Sequence, residues 1–168
     1  MINLEQLLLS RDARVAFQKE LLESHPGCVL ICLTVQLPGS VKRNATSLAI
    51  AHAGCEALRQ RFPDCELITR DLETGFEAFL PLPMDALEAK RITCQLEETH
   101  PLGRLMDMDV IGPDGPVSRA DVGLDARRCL LCGQPVRYCM RARTHTTQEL
   151  LERMEQMVNN YTLCHTEN

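Results

Sequence analysis

Apolar positions along this chain recur at helical and strand periods in alternation. Leu4, Leu7, Leu8, Val15, Phe17, Leu21 and Leu22 lie among charges at roughly helical spacing and predict a first helix over 4–24. Ser10-Arg11-Asp12 leaves open an internal break or a second N-cap, and His25-Pro26-Gly27 ends the helix. Cys28 to Leu37 is apolar on both parities and β-branched, the pattern of a strand buried on both faces. A second helix is predicted over Asn44 to Arg61, where Leu48, Ala51, His52, Cys55 and Leu58 recur at three and four residues and place His52 on the apolar side. Glu66 to Arg70 and Phe76 to Leu82 read as a hairpin turning at Asp71 to Gly75. A helix from Pro83-Met84-Asp85 to Glu98 follows, with Leu87, Ile92, Cys94 or Gln95, and Leu96 facing inward. Leu105 to Ile111 is a strand, and Pro113-Asp114-Gly115 turns it into a short return strand around Val117 to Ser118. Residues 123–143 show no period and are rich in Cys and Arg, and 144–163 form a last amphipathic helix led by Leu150, Leu151, Met154, Met157, Val158 and Tyr161.

The order α-β-α-β-β-α-β-β-coil-α predicts an α+β fold, one domain over 1–168 with a mixed, largely antiparallel sheet flanked by helices. At 168 residues the chain can bury a core without disulfides, and 45% hydrophobic with 24% charged residues excludes disorder. A net charge of −5, aromatics at 4% and no Trp argue against nucleic acid as a partner. The longest apolar run, Cys28 to Val35, falls far short of the roughly 20 residues of a membrane span, so no membrane partner is expected. Met1 to Glu5 lacks a basic region or cleavage site, so no secretory signal is expected. Nine cysteines, most of them inside apolar runs, suit a reduced, cytoplasmic protein whose thiols fill its core.

Candidate chemistry concentrates after residue 100. In a strand, Asp107 and Asp109 share a face while Met106, Met108 and Val110 take the other. Two carboxylates so close repel unless one is protonated or a cation lies between them, and Mg²⁺ is the usual cation where phosphates react. Two solvated Asp on an edge strand explain the spacing equally well. Gly103 and Arg104 just upstream favour chemistry, since Gly permits close backbone approach and Arg grips phosphate. From Arg119 to Arg143 stand six Arg (119, 127, 128, 137, 141 and 143) against Asp121 and Asp125, a local excess of +4 that favours an anion site. Cys129, Cys132, Cys139 and His145 follow as C-x2-C-x6-C-x5-H, a donor set for structural Zn²⁺. The apolar Leu130-Leu131 inside the knuckle and the uncommon spacing favour buried thiols over zinc, with Leu124, Leu130, Leu131, Val136 and Met140 packing the segment against the last helix. His100 lies close enough to the D-x-D to act as a base.

His100-Pro101-Leu102-Gly103-Arg104-Leu105, Asp107-x-Asp109-Val110, Ser118-Arg119-x-Asp121 and Arg127-Arg128-Cys129-Leu130-x-Cys132 together resemble the apo-citrate lyase phosphoribosyl-dephospho-CoA transferases. The likeness extends to Leu8-Leu9-Ser10-Arg11-Asp12-Ala13-Arg14 and to Leu150-Leu151-x-Arg153-Met154-Glu155, and so spans essentially the whole chain. It implies transfer of phosphoribosyl-dephospho-CoA from triphosphoribosyl-dephospho-CoA to a serine of the acyl-carrier (gamma) subunit of citrate lyase, with diphosphate released. It implies Mg²⁺ on Asp107 and Asp109, and Gly103, Arg104, Arg119, Arg127 and Arg128 toward the triphosphate. The serine proton then passes to either Asp, to Asp121 or to His100. The D-x-D is also the family's likeness to nucleotidyltransferases at large, which usually place a Gly-Gly or Gly-Ser pair well upstream; here Gly103-Arg104 stand immediately before the strand, and a nucleotidyltransferase-like fold stays open. The rival reading is a non-catalytic, zinc-stabilised adaptor for an acidic protein. An Arg-rich face suits both; only the surroundings of the D-x-D separate them.

Overall fold

The computed structural model describes residues 1–166. Its elements are α1 (Leu4–Ser24), β1 (Val29–Val35), α2 (Ala45–Arg61), β2 (Ile68–Leu72), β3 (Gly75–Leu82), α3 (Ala86–Thr99), β4 (Met106–Gly112), β5 (Gly115–Val117), α4 (Val136–Ala142) and α5 (Thr147–Thr166), with single 3₁₀ turns at Gly103–Leu105 and Ala120–Val122. The α+β class is as predicted. The sheet is not mixed: its order is β2-β3-β1-β4-β5, and every pairing among the described residues is antiparallel. Hairpins join β2 to β3 and β4 to β5, whereas α2 and α3 are crossovers that carry the chain past an intervening strand to one running parallel with the strand before it, β1 to β2 across β3 and β3 to β4 across β1.

Local chemistry starts the helices where their sequences allow. Asn3 with Gln6, and Asn44 with Ser47, form reciprocal capping boxes on α1 and α2, and Asp85 accepts the N–H groups of Leu87 and Glu88 at the start of α3. β1 is central, with Val29 to Leu33 fully buried as its two-sided apolar pattern requires. One face of the sheet carries Ile31, Leu33, Ala78, Leu80, Met106, Met108 and Val110, and α2, α3 and α5 cover it to make the main core. The other face carries Leu30, Cys32 and Phe79, and the C-terminal half of α1 covers it through Phe17, Leu21 and Leu22.

Four expectations are corrected. α1 runs without a break, because Ser10 donates its hydroxyl to Thr74 of the β2–β3 turn at 2.7 Å and tethers the helix there instead of capping it. His52 is exposed, its ring edge-on to Phe76; the buried stripe of α2 runs through Ser47, Ile50, Ala51, Gly54, Cys55 and Leu58, and Gly54 lets the helix settle on Leu33. Leu87 is exposed at the start of α3, whose inward face carries Ala89, Lys90, Ile92, Thr93, Cys94 and Glu97. The segment read as irregular holds a short helix, α4.

Candidate active site

β5 is short, and its shortness shapes the site. It pairs with β4 only from Val110 to Gly112, so the edge of β4 at Met106 and Met108 has no neighbouring strand. Buried backbone groups must find partners. Glu97 of α3 accepts the Met108 N–H at 2.8 Å, Lys90 donates to the Met108 carbonyl at 3.1 Å, and Arg127 donates to the Met106 carbonyl at 2.6 Å. Glu97 also holds Arg127 at 2.8 Å and Arg119 at 3.2 Å. This network seats Arg127 beside the next residue of the strand, 3.8 Å from the carboxylate of Asp107.

Asp107 and Asp109 open on the opposite face of β4, in a cleft of about 1180 Å³ between α1, the sheet and residues 127–147. Asp107 is half-buried and Asp109 exposed to the cleft, so the pair is solvated but not isolated. The cleft brings Arg104, Arg127 and Arg128 to the two aspartates, as the resemblance implied, and adds Arg11 and Arg14 of α1, Lys42 and Arg143. Its acids are Asp107, Asp109 and Glu77, and Glu77 is neutralised by Arg70 at 2.5 Å and Arg14 at 3.5 Å. Gln36 donates to Asp107 at 2.5 Å. Asp109 is exposed to solvent in the cleft, yet desolvation by the protein around it, together with the charge of Asp107, pushes its carboxyl above the usual range. Lys42 is pushed below its usual range by burial and by Arg11. The cleft thus presents many cations around a carboxylate pair of which Asp107 is met by Gln36 and Arg127, while no salt bridge reaches Asp109 among the described residues.

Other predicted residues lie elsewhere. Gly103 supports the fold: a Cβ there would come within 2.5 Å of the Leu96 and Glu97 carbonyl oxygens, so it packs on the end of α3, outside the cleft lining. His100 caps α3, accepts the Leu102 N–H at 3.0 Å on Nδ1 and leans on the Tyr161 ring, away from the cleft lining. Arg119 binds Glu97, Glu98 and the Asp125 carbonyl. Asp121 accepts the amide and hydroxyl of Ser118, both at 2.7 Å, which hold its carboxyl below the usual range. Arg11 and Arg14 were overlooked as site residues, although their spacing of three on one helix face, within a stretch that carries the resemblance, marks them.

Separate outcomes follow for two arginines that the sequence treats alike. Arg128→Ala should lower kcat/KM for a triphosphate substrate about tenfold or more at unchanged melting temperature, the scale of one charge-assisted hydrogen bond. Arg119→Ala should leave KM unchanged and lower the melting temperature. Steady-state kinetics beside thermal melts of both variants check this; a raised KM for Arg119→Ala would bring it back to the substrate.

The cysteines divide into two groups. Burial pushes the Cys32 thiol up to about 12 and Cys55 up to about 11, as for inert core fillers. Cys129, Cys132, Cys139 and His145 instead converge, with one ligand atom from each lying within 4.8 Å of the others, a group able to hold a metal ion. The packing expected in place of a metal is met only in part: Leu124, Leu130 and Val136 are half-buried, Leu130 against the main core, while Leu131 and Met140 are exposed. At Cys129 burial acts upward, but N–H donors from Leu131 and Cys132 and the neighbouring thiols outweigh it and hold the thiol below its usual range.

The chain is similar to known proteins of one family. Residues 2–161 match the family model for apo-citrate lyase phosphoribosyl-dephospho-CoA transferase. A protein of Vibrio cholerae serotype O1 (strain M66-2), named probable apo-citrate lyase phosphoribosyl-dephospho-CoA transferase, is 39% identical over 172 residues, covering 97% of this chain and 95% of the relative. One of Escherichia coli O1:K1 / APEC, named apo-citrate lyase phosphoribosyl-dephospho-CoA transferase, is 38% identical over 169 residues, covering 97% and 92%. By both measures the chain belongs to the apo-citrate lyase phosphoribosyl-dephospho-CoA transferase family.

Proposed function

We propose that this chain is a cytoplasmic transferase, acting as one domain, that attaches phosphoribosyl-dephospho-CoA to a serine of the apo acyl-carrier subunit of citrate lyase. The donor is triphosphoribosyl-dephospho-CoA and the leaving group is diphosphate. The observation that carries the reading is the Asp107–Asp109 pair inside an arginine-walled cleft. An adaptor would leave those carboxylates solvated and isolated. Among the described residues no helix is long and apolar enough to cross a membrane.

In this reading Arg104, Arg128 and the α1 arginines bind the triphosphate and hold its α-phosphorus toward the carrier serine. The serine oxygen bonds to that phosphorus while the bond to the diphosphate oxygen breaks. The serine proton passes to a cleft carboxylate: Glu77 is committed to Arg14 and Arg70, and His100 and Asp121 lie outside the lining, which leaves the aspartate pair. Asp107 and Asp109 offer hard oxygen donors on one face of β4, and no cation pairs with Asp109 among the described residues, a set that fits Mg²⁺. Bound there, the ion would supply Lewis-acid stabilisation of phosphoryl charge. Guanidinium groups aimed at the departing diphosphate add electrostatic stabilisation.

Intact mass of the carrier tests this after incubation with the chain, triphosphoribosyl-dephospho-CoA and Mg²⁺. The expected result is a gain of one phosphoribosyl-dephospho-CoA per carrier with equal release of diphosphate. A stable complex with the carrier and no mass gain would favour the adaptor instead.

A further inference from the structure

Residues 127–145 form one wall of the cleft, and their apolar anchoring is slight: Leu130 is half-buried against the core and Val136 is half-buried. Leu131 is 36% exposed, Tyr138 62% and Met140 71%, while the buried residues of the segment are Cys129 and Cys139, at 8% and 7%. α4 spans only seven residues, too few to persist in water without tertiary support. After it the chain turns through Arg143, the one positive-φ residue other than glycine among those described, at φ 49. A left-handed conformation at such a residue persists only where the surroundings enforce it. The turn brings His145 back onto Cys129, Cys132 and Cys139. Its Nε2 is buried with no hydrogen-bond partner. A buried ring nitrogen without a partner is costly, and a metal bond relieves it.

The geometry points to a structural zinc site in which Cys129, Cys132, Cys139 and His145 are the four ligands and the ion ties the arginine wall of the cleft into one piece. Three thiolates and an imidazole are a soft donor set of the zinc type, and four protein ligands leave no open position for chemistry. The Cys132 and Cys139 sulfurs are 3.4 Å apart. Tetrahedral zinc with bonds of about 2.3 Å would set them about 3.8 Å apart, a shift of a few tenths of an ångström. Backbone N–H groups of Leu131 and Cys132 point at the Cys129 sulfur, the arrangement that stabilises a thiolate at a C-x2-C knuckle. Arg127 and Arg128 stand immediately before the first ligand, so the ion would set their positions in the cleft. Binding displaces one proton from each of the three thiols and needs no oxidant or reductant.

Elemental analysis of the full chain, purified under reducing conditions without chelator, decides this without any substrate. About one zinc per chain is expected. Stepwise titration of the native protein with an organomercurial should release that zinc in step with modification of Cys129, Cys132 and Cys139, read by peptide mass to set aside Cys164 and the half-buried Cys28 and Cys65, with no reliance on a variant's folding. Cobalt(II) in exchange should give the intense visible bands of tetrahedral thiolate ligation, and Cys132→Ser, at an exposed position, should change them. Trypsin should then cut at Arg137 and Arg141 far faster after chelation. No zinc on purification or on reconstitution, another metal in its place, a Cys132–Cys139 disulfide in the reduced preparation, or zinc retained after the three thiols have reacted would each overturn the site.

Discussion

Asp109→Asn is expected to cost at least about 10²-fold in transfer rate while the protein melts at or above the wild-type temperature near neutral pH. The loss follows from removing one of two charges on which a cation and the reacting phosphates depend, and about 10²- to 10³-fold is the scale of one such electrostatic contact. The stability follows from the position of the residue. Desolvation by the protein around it and the charge of Asp107 push the Asp109 carboxyl up, so ionising it costs the folded state more than the unfolded chain. That penalty is fully present above the raised folded pKa, shrinks as pH falls through it, and vanishes below the unfolded value. Asn carries no such penalty, so its advantage in melting temperature should fade on acidification through the same window. Asp107→Asn should match the kinetic loss without the gain in stability, since Gln36 and Arg127 already hold Asp107. Melts at several pH values beside single-turnover transfer rates check both parts. Near-wild-type turnover by Asp109→Asn would remove it from the site, and a lower melting point near neutrality would remove the charge crowding.

Elements whose burial is periodic are legible in the sequence alone. The two-sided apolar run at 28–37 became central β1, and the alternation at 105–111 became β4 with its aspartates on one face. The α5 stripe through Met154 and Val158 is buried as read. What the pattern could not carry was tertiary. His52 stands at helical spacing with Leu48 and Cys55, yet the small residues Ala51 and Gly54 decide which way α2 rotates, because they let it approach Leu33. Arg119 and Arg127 look alike in sequence, and only the open edge of β4 explains why one is spent on the fold and the other reaches Asp107. The C-x2-C-x6-C-x5-H spacing gave no sign that Arg143 would turn the chain and return His145 to the thiols. Glu97 was missed altogether: it occurs in the polar run Glu97-Glu98-Thr99, and its partners lie in distant segments.

Glu97→Ala should be among the most damaging single changes outside the apolar core, at about 3–5 kcal/mol, the usual cost of breaking a buried ion pair from one side. The carboxylate, with only 5% of its side chain exposed, serves three partners. Its loss leaves the Met108 N–H without an acceptor, Arg127 without its closest counter-charge and Arg119 with Glu98 as its remaining carboxylate partner. For a chain of this size that energy corresponds to a fall in melting temperature of roughly 10 °C or more. Glu97→Gln separates the contributions: the amide oxygen can still accept the Met108 N–H, so it should retain part of the stability while losing the charge that seats Arg127. A folded Glu97→Gln protein should therefore show a catalytic defect, because Arg127 is free to swing onto Asp107 and compete for the charge that the cleft needs. Urea denaturation midpoints of both variants give the stability ranking, and kcat of the Gln variant well below the melt gives the second effect. Equal midpoints for wild type and Glu97→Ala would show that the edge of β4 is held by something other than this carboxylate.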